Sequence, residues 1–318
     1  MSLETASPKV WVGFIVYGAS TAPYLSYFLQ SLKKQTHISF QVVCFDNTPS
    51  VENENSELLA AHPEIKIYRG EGNIGFSAAY NILISEAVNA GATYFFVVNP
   101  DTILEPEVID QLISTLENSP HCASVAPKLL KWKFTAKIKT SVIDSCGVVL
   151  KSGLKFSDLG QGHEDHGQFD QLAILGPSGA AGMFRLKALQ AIVENDNYFD
   201  EYFFMYKEDC DLIYRLHLAG YNSQLVSSAI MYHDRTVTGG GVIRRFFDRR
   251  SRSKAINRFA FINQHWLYVK YWRRQIMSSK LLILVGVCTR FFQALIFEQY
   301  LLGAYRVIYK GYHFLKKY

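Results

Sequence analysis

The chain has 318 residues, of which 49% are hydrophobic and 19% charged, and its formal net charge is +5. This length and composition predict one large α/β domain or two smaller ones, and they exclude an intrinsically disordered chain. Five cysteines form neither a CxxC pair nor an even framework, which favours a reducing compartment, the cytoplasm. Residues 1–9 contain no apolar run behind a basic cluster, so no secretory signal is expected.

The first predicted unit is a strand over residues 10–16 followed by a helix toward residue 35. The turn between them, which begins at Tyr17, does not match GxGxxG, and this removes most of the support for a dehydrogenase. A second strand, 40–45, ends in Asp46-Asn47. Asp46 can cap the next segment, or it can accept hydrogen bonds from a base or ribose above the strand ends. The residues alone leave both interpretations open.

A third strand over residues 65–68 leads into the segment Gly72-Asn73-Ile74-Gly75-Phe76-Ser77-Ala78-Ala79-Tyr80-Asn81. The two glycines let the backbone approach a ligand closely, and a helix starting at Ser77 offers free N–H groups. Three successive β/α units with polar strand ends predict a nucleotide-binding half-domain with a largely parallel sheet.

The fourth strand, 94–98, is apolar throughout and is stopped by Asn99-Pro100-Asp101-Thr102. In open α/β sheets ligands bind at the carboxyl ends of strands, so Asp101 is well placed to hold a divalent cation against a phosphate. Asp101 or Thr102 can equally cap the helix predicted over residues 105–118.

The region from 141 to 170 is rich in Gly, Lys, Asp and His, and it predicts a hairpin and a mobile loop. A metal cluster of His163, Asp165 and His166 is conceivable there, but a solvated surface loop is several times more common for such a composition. Further along, small residues from Gly176 to Gly182 precede a short strand and allow a sugar or a backbone to approach.

A dense aromatic stretch, 198–206, is followed by three acids, Glu208, Asp209 and Asp211. Leucines at helical spacing place these acids at the start of a helix, where acids also favour the helix dipole without any other function. A last strand, 225–232, ends in His233, which can meet Asp101 at the same sheet edge.

The C-terminal region is basic and aromatic. Residues 244–280 contain eleven Lys or Arg and one acid, and residues 281–297 are the most apolar stretch. Arg290 interrupts that stretch, so it is expected to fall short of a membrane span. We expect helices that lie on a membrane surface, with packing on the catalytic domain as the alternative. Nucleic acid is not an expected partner, because the charges are mixed with long apolar runs.

These motifs together resemble the inverting family two glycosyltransferases of the GT-A fold, in particular the bacterial rhamnosyltransferase-like branch. The resemblance covers residues 10–240 and lies in the order and spacing of the motifs. It implies a mixed, mostly parallel sheet flanked by helices, with a helical C-terminal extension. The expected domains are a catalytic domain over 9–240, with halves 9–120 and 121–240, and a basic amphipathic region over 241–318. The motifs that carry the resemblance are Asp46-Asn47, Asn73-Ile74-Gly75-Phe76, Asn99-Pro100-Asp101-Thr102, the stretch from Phe203 to Leu212 with Arg215, and His233.

The resemblance also implies roles. Asp101 and His233 are expected to hold Mg or Mn on the donor diphosphate, and Asp209 is expected to deprotonate the acceptor hydroxyl. Acceptor or sugar contacts are expected from Gly182, Glu208 and Asp211. The residues expected at the nucleotide-sugar donor are Tyr17, Asp46, Asn47, Asn73, Gly75, Phe76, Asn81, Asn99 and Asp101.

One residue departs from the family pattern. Asn99 replaces the first acid of the DxD motif, so metal binding is expected to be weak without the nucleotide. The same Asn is common in the rhamnosyltransferase-like branch, which favours transfer of L-rhamnose from dTDP-rhamnose to a glycan or lipid-linked acceptor. The alternatives are transfer of galactofuranose or an N-acetylhexosamine from a UDP-sugar, and a non-catalytic sugar-nucleotide-binding protein. The expected location is the cytoplasm, peripheral on the inner face of the cell membrane.

Overall fold

The computed structural model describes residues 10–235 and 253–315, with side chains to residue 312. These residues form two compact units. The N-terminal unit contains residues 10–148, 158–204 and 208–235, and the C-terminal unit contains residues 149–157, 205–207 and 253–315. The domain boundary predicted at residue 240 lies outside the described residues and stays a prediction.

The N-terminal unit is built on a nine-stranded sheet with the strand order β3-β2-β1-β4-β10-β6-β11-β5, and β7 pairs with β6. The strands of this sheet are β1 (Val10–Val16), β2 (Phe40–Asp46), β3 (Lys66–Arg69), β4 (Tyr94–Val98), β5 (Thr102–Leu104), β6 (Cys122–Lys133), β7 (Ile138–Ser145), β10 (Ala181–Arg185) and β11 (Asn222–His233). A separate two-stranded sheet pairs β8 (Val148–Lys151) with β9 (Lys155–Asp158).

The first half of the sheet is parallel, as predicted, because β3, β2, β1 and β4 pair in one direction. β10 then runs antiparallel to both β4 and β6, and β11 runs parallel to β6. As a result β4, β6 and β11 point the same way, and their carboxyl ends lie at one edge of the sheet. The turn after β4 and the end of β11 therefore lie close together at this edge.

Helices pack against the sheet. A buried apolar core that includes Phe14, Phe28 and Phe96 lies between the strands and these helices. In the N-terminal unit they are α1 (Ala22–Lys33), α2 (Glu54–Ala60), α3 (Gly75–Asn89), α4 (Val108–Glu117), α5 (Leu186–Gln190) and α6 (Glu208–Leu218). The helices predicted at 23–35, 77–90 and 105–118 are confirmed with small shifts. β5, α2 and α5 were not predicted, because each is shorter than the stretch over which a helix or strand periodicity can be recognised.

β6 is longer than the sequence predicted. The expected strand covered residues 123–126, whereas the structure extends it to Lys133 across Pro127. Pro127 lacks a backbone donor, but β6 accommodates it where the register with β11 becomes irregular, after Val226. The extension carries β6 to the edge at which β4 and β11 end.

The region after β7 is anchored rather than freely exposed. Lys128 of β6 is buried, and its Nζ lies 2.9 Å from Asp165 Oδ2 and 2.6 Å from Asp170 Oδ1. The expected mobile loop is therefore tied to the sheet by a buried cation, and Asp165 is an ion-pair partner rather than a metal ligand. Within residues 10–235 and 253–315, no group of three His, Cys, Asp or Glu side chains is arranged to hold a metal.

The C-terminal unit contains three helices, α7 (Lys254–Tyr271), α8 (Met277–Phe297) and α9 (Ala304–Leu315). The expectation that the apolar stretch falls short of a membrane span is wrong, because α8 continues through Arg290 for 21 residues. At about 1.5 Å per residue it is about 31 Å long, close to the ~30 Å of a hydrocarbon core. By length and composition α8 is a candidate membrane span, and only 11% of its most apolar window is buried.

Lys128→Met tests the anchoring of the loop. Removing the ammonium leaves two largely buried carboxylates without their cation, so we expect unfolding free energy to fall by about 3 kcal/mol. Urea unfolding measures this loss. The control is Lys187→Met on the exposed face of α5, where a change within about 0.5 kcal/mol is expected. A loss below about 1 kcal/mol in Lys128→Met contradicts the anchoring role.

Candidate active site

The candidate site begins with two side chains at the shared sheet edge. His233 Nε2 at the end of β11 lies 3.3 Å from Asp101 Oδ1 in the turn after β4. The backbone fixes this approach, since Asp234 N–H donates to the Asp101 carbonyl at 3.0 Å and His233 pairs with Thr102 across β5. The predicted meeting of Asp101 and His233 at one edge is therefore present.

The alternative of a helix cap at Asp101 or Thr102 is wrong. Thr102 belongs to β5, and its hydroxyl donates to the Asn99 carbonyl at 2.7 Å, which closes the turn. α4 begins later, at Val108, with Glu107 as its N-cap residue. Asp101 is thus held in a tight turn between two strands, and its side chain remains 27% exposed.

A second carboxylate holds the other nitrogen of His233. Asp144 of β7 is fully buried, and its Oδ2 lies 2.8 Å from His233 Nδ1. Its Oδ1 lies 3.1 Å from Arg235 Nε, and Arg235 Nη1 donates to Asp158 Oδ2 at 2.8 Å. A continuous chain of alternating charge therefore runs from Asp101 through His233, Asp144 and Arg235 to Asp158.

The charges in this chain shift one another's pKa values. Burial alone lowers the pKa of His233, but Asp101 and then Asp144 outweigh it and raise the pKa to about 10. Burial acts in the opposite direction on Asp144, yet Arg235 and His233 hold the pKa of this carboxyl below its usual value. His233 is therefore protonated near neutral pH, between the carboxyl groups of Asp101 and Asp144.

Asp209 approaches the same edge through two adjacent residues of the loop before β10. Gly179 N–H donates to Asp209 Oδ2 at 2.9 Å, and the Ala180 carbonyl accepts from Asn99 N–H at 2.9 Å. The first turn of α6 is thereby joined to the turn that carries Asp101. Each carboxylate oxygen has two acceptor sites, so the N–H groups of Gly179 and Cys210 orient Asp209 and leave acceptor capacity on both oxygens.

The neighbouring acids of α6 point elsewhere. Asp211 is fully buried, and its Oδ2 accepts from Arg215 Nε at 2.8 Å. Arg215 also donates to the carbonyls of Ile192 and Tyr198, so the pair fastens the loop before α6. Glu208 is buried as well. The acceptor contacts predicted for Glu208 and Asp211 stay predictions, and the burial of both carboxylates does not support them.

Asp46 lies at the end of β2, one position beyond the predicted strand. Its carboxylate is fully buried, with Oδ2 2.6 Å from Arg69 Nη2 and Oδ1 accepting from Thr48 N–H at 2.9 Å. The second interaction closes a local turn. Asp46 does not cap the helix that follows, because the N-cap residue of α2 is Asn53. Its predicted contact with the donor base is not tested.

Asn47 holds the glycine loop that follows β3. Its Nδ2 donates to the Gly75 carbonyl at 3.1 Å, and its Oδ1 accepts from Ile74 N–H at 3.1 Å. Asn73 Oδ1 accepts from Gly75 N–H at 2.9 Å. Gly75 has φ of +87°, and a Cβ there would lie 2.6 Å from the Phe204 carbonyl oxygen. Gly75 is therefore required by its own backbone and by the aromatic segment, whether or not a ligand is bound.

Other predicted donor residues have structural partners. Asn81 is buried and bonds to the segment before α6, accepting from Phe199 N–H at 2.8 Å and donating to its carbonyl at 2.9 Å. The Phe76 ring packs on Tyr80 at 4.5 Å. Tyr17 is 47% exposed after β1, at the carboxyl edge of the parallel half-sheet. Of these three residues, Tyr17 is the most accessible to a ligand.

Gly182 was predicted to admit a sugar. In the structure it is buried inside β10 opposite Val97, and a Cβ would lie 2.4 Å from Pro177. Contact with Pro177 accounts for the small residue, so the burial of Gly182 does not support the predicted sugar contact.

Sequence reasoning missed Asp144 and Arg235. The signal for Asp144 was an acid directly after Ile143 inside a strand, a position at which a charge needs a partner. No local signal identifies Arg235 as that partner, because 91 positions separate the two residues.

The residues at the edge fit a divalent cation. Asp101 Oδ1 is buried and accepts no hydrogen bond from the described residues, and His233 Nε2 lies 3.3 Å from it. A bound ion would take the place of the proton on Nε2. Asp144 on Nδ1 is the carboxylate that commonly orients a metal-bound histidine. Asp101 and His233 would therefore hold the ion, and Asp144 would position His233.

The chain is similar in sequence to known proteins. Residues 12–193, more than half of the chain, match the profile described as Glycosyl transferase family 2. Proteins named N-acetylglucosaminyl-diphospho-decaprenol L-rhamnosyltransferase, from two strains of Mycobacterium tuberculosis, are each 26% identical over 255 residues. The alignment covers 70% of this chain and 75% of each relative.

Two solved structures share the fold. GalNAc-T7 with UDP, GalNAc and Mn2+ has a TM-score of 0.55 and 11% identity, and the match covers 85% of this chain and 52% of that chain. S. aureus TarS has a TM-score of 0.51 and 14% identity, with 97% of this chain and 55% of that chain covered. The chain thus spans about half the length of each. At these identities the likeness shows the fold alone, and the predicted GT-A fold is confirmed.

Asp211→Ala should lower the unfolding free energy more than Asp209→Asn does, which would distinguish a structural acid of α6 from an accessible one. Removing Asp211 takes the nearer carboxylate from the buried Arg215, whose Nε lies 2.8 Å from Asp211 and 3.8 Å from Glu194, so we expect a loss of about 3 kcal/mol in unfolding free energy. Asp209→Asn keeps its shape at a half-buried position and should cost about 1 kcal/mol. Urea unfolding of both variants gives the comparison. Equal losses would show that the two acids do not differ in the way their burial indicates.

Proposed function

The chain belongs to glycosyl transferase family 2, and from that premise we propose that it transfers L-rhamnose from dTDP-rhamnose, with inversion, to a lipid-linked or glycan acceptor. The protein is a glycosyltransferase, and the step belongs to cell-surface polysaccharide synthesis. The single observation that carries the assignment is the convergence of Asp101, His233 and Asp209 at one sheet edge. The named relatives, which are rhamnosyltransferases acting on a diphospho-decaprenol acceptor, support this choice of donor and acceptor over the UDP-sugar alternatives.

Asp101 and His233 would hold Mg or Mn in this reaction. When bound, the ion neutralises negative charge on the departing nucleoside diphosphate. Asp144 fixes the ring of His233 by accepting from Nδ1, so Nε2 faces Asp101. Asn99, which is partly exposed, would contact the donor beside this pair.

The nucleotide would lie over the ends of β1 and β2. Tyr17 offers an exposed aromatic face there, and Asp46 lies at the end of the adjacent strand. The loop of Asn73 and Gly75 is held against this region by Asn47, so its position does not depend on the ligand.

Asp209 is the proposed general base. It takes the proton of the acceptor hydroxyl while the oxygen's electron pair forms a bond to the anomeric carbon. The bond from that carbon to the diphosphate oxygen breaks, and its electron pair leaves with the nucleoside diphosphate. Attack opposite the leaving group inverts the anomeric configuration. Gly179 N–H holds one oxygen of Asp209 throughout this step.

We also propose that the C-terminal unit contacts the cytoplasmic face of the cell membrane. Leu281, Val285, Phe292 and Ile296 are each more than half exposed and follow one side of α8, whereas Ile283 and Ala294 are buried on the other side. An apolar stripe with a buried opposite side suits a helix lying in the membrane interface. The alternative that these helices serve only for packing leaves the stripe without a role.

Asp101→Asn and Asp209→Asn should fail in different ways. Loss of a metal-binding carboxylate should abolish metal-dependent donor binding, whereas loss of the base should lower turnover by about 100-fold to 10,000-fold with donor affinity nearly unchanged. Calorimetry with dTDP-rhamnose and Mn2+ measures affinity, and transfer to a soluble acceptor measures turnover.

The matched control is Asp200→Asn, an acid of the aromatic segment whose Oδ1 accepts from Tyr202 N–H. It should leave donor affinity and turnover near wild type. Full donor binding by Asp101→Asn would contradict the metal assignment. Full turnover by Asp209→Asn would contradict the assignment of the base.

A further inference from the structure

The proposed general base follows a segment with an uncommon backbone conformation. Residues 205–207, here called the strained segment, lie directly before α6. Tyr206 has φ of +70° and Lys207 has φ of +74°, although neither residue is a glycine. Left-handed backbone is costly for side chains of this size, and it persists only where surrounding contacts hold it. The contacts of the strained segment therefore decide how Asp209 is presented.

A buried asparagine of the C-terminal unit holds this segment. Asn263 of α7 is 1% exposed, and its Nδ2 donates to the Met205 carbonyl at 2.9 Å and to the Tyr206 carbonyl at 2.6 Å. The strained segment and α7 belong to the same unit. One side-chain amide thus binds two successive carbonyl groups, which fixes the course of the backbone between them.

Packing alone does not explain an asparagine at position 263. Its Oδ1 is buried and accepts no hydrogen bond from the described residues. A buried oxygen without a partner destabilises the folded protein, so an apolar side chain would be the better choice if filling space were the only requirement. An apolar side chain could not replace the two hydrogen bonds that Nδ2 donates.

The backbone joins the strained segment to the base. The segment ends two positions before Asp209, whose Oδ2 accepts from Gly179 N–H at 2.9 Å. At the other end, the Phe204 carbonyl accepts from Phe76 N–H at 2.8 Å, which fixes the start of the segment to α3. Asn263 binds the chain between these two anchors. Its hydrogen bonds therefore restrict the backbone conformation that directs the Asp209 side chain.

We infer that Asn263 is a positioning residue for Asp209, an inference that rests on the proposed function. By binding the carbonyls of Met205 and Tyr206, it keeps the strained segment in the left-handed conformation from which α6 begins. Asp209 then faces the acceptor hydroxyl in the orientation that in-line attack requires. Without Asn263 the segment relaxes toward ordinary backbone angles, and a displacement of about 1 Å at a reacting group lowers the rate by about 100-fold.

The adjacent residue of α7 provides a comparison. Gln264 is also buried, and its Nε2 donates to the Leu154 carbonyl at 3.1 Å, between β8 and β9. It has the chemistry and burial of Asn263, but the backbone that it binds does not continue into α6. A role in stability alone predicts similar effects from the two amides. A positioning role predicts an effect on turnover from Asn263 only.

The test measures transfer of rhamnose from dTDP-rhamnose by the full chain. In Asn263→Leu the turnover number kcat should fall about tenfold to 100-fold, less than in Asp209→Asn, because the carboxylate is present but misplaced. Calorimetry with dTDP-rhamnose and Mn2+ should give an affinity near wild type. The matched control, Gln264→Met, removes an amide from the same helix and should keep kcat near wild type.

A second substitution separates positioning from folding. Glycine adopts a positive φ without strain, so Asn263→Leu/Lys207→Gly should have a kcat at least about fivefold above that of Asn263→Leu. Asn263→Leu/Lys207→Ala also removes the lysine side chain but keeps the strain, and it should show no recovery. If Asn263→Leu does not fold, Asn263→Ser is measured in its place, because its hydroxyl keeps one hydrogen-bond donor.

Hydrogen–deuterium exchange provides a readout that does not depend on activity. Peptides spanning residues 205–211 should exchange faster in Asn263→Leu than in Gln264→Met. Equal exchange, an unchanged kcat in Asn263→Leu, an equal loss of kcat in Gln264→Met, or equal recovery with glycine and alanine at position 207 would each overturn the inference. Absence of sugar transfer by wild type would contradict the proposed function instead, and exchange would still show whether Asn263 fixes the strained segment.

Discussion

The arrangement of the site depends on one histidine held between two carboxylates. His233 joins Asp101, in the turn after β4, to Asp144, inside β7. These residues come from three separate parts of the chain, and the antiparallel insertion of β10 is what brings their strands to one edge. Without His233, the fully buried Asp144 would keep Arg235 as its cationic partner, and Asp101 would lose its nearest positive charge.

The charge at this edge explains why a cation fits there. The groups of opposite sign are His233, Arg235 and Lys131. They face five carboxylates, those of Asp101, Asp144, Asp158, Asp209 and Asp234. A sugar donor adds a diphosphate to this excess of negative charge, so it needs a divalent ion to bind near Asp101.

The parallel half of the fold was predictable because each strand is an apolar run that ends in polar residues. The same reasoning placed Asp101 and His233 together correctly, since both follow strands that end at one edge. It did not distinguish Asp209 from Asp211, because adjacent positions in a helix share their composition but not their surroundings. Asp211 is paired with Arg215 inside the protein, and this pairing makes it a structural residue. Only the folded chain shows that the same arginine also donates to the carbonyl of Ile192.

Other contacts in the site could not be predicted from the sequence, for physical reasons. Asp144 and Arg235 form their pair across 91 positions, and no local pattern encodes such a contact. Gly75 and Gly182 both suggested room for a ligand, yet the space beside them is taken by Phe204 and Pro177. A glycine in the sequence indicates that another group packs closely against the backbone at that position. At Gly75 and Gly182 that group is a residue of the same chain and not a ligand.

The most direct test of the account is the coordination of Mn2+ in the presence of dTDP. Pulsed electron paramagnetic resonance detects the nitrogen of an imidazole bound to Mn2+. The account predicts a nitrogen signal in wild type that is lost in His233→Ala and retained in His217→Ala, which removes an exposed histidine of α6. Mn2+ bound with dTDP but showing no nitrogen signal in wild type, or an unchanged signal in His233→Ala, would contradict it.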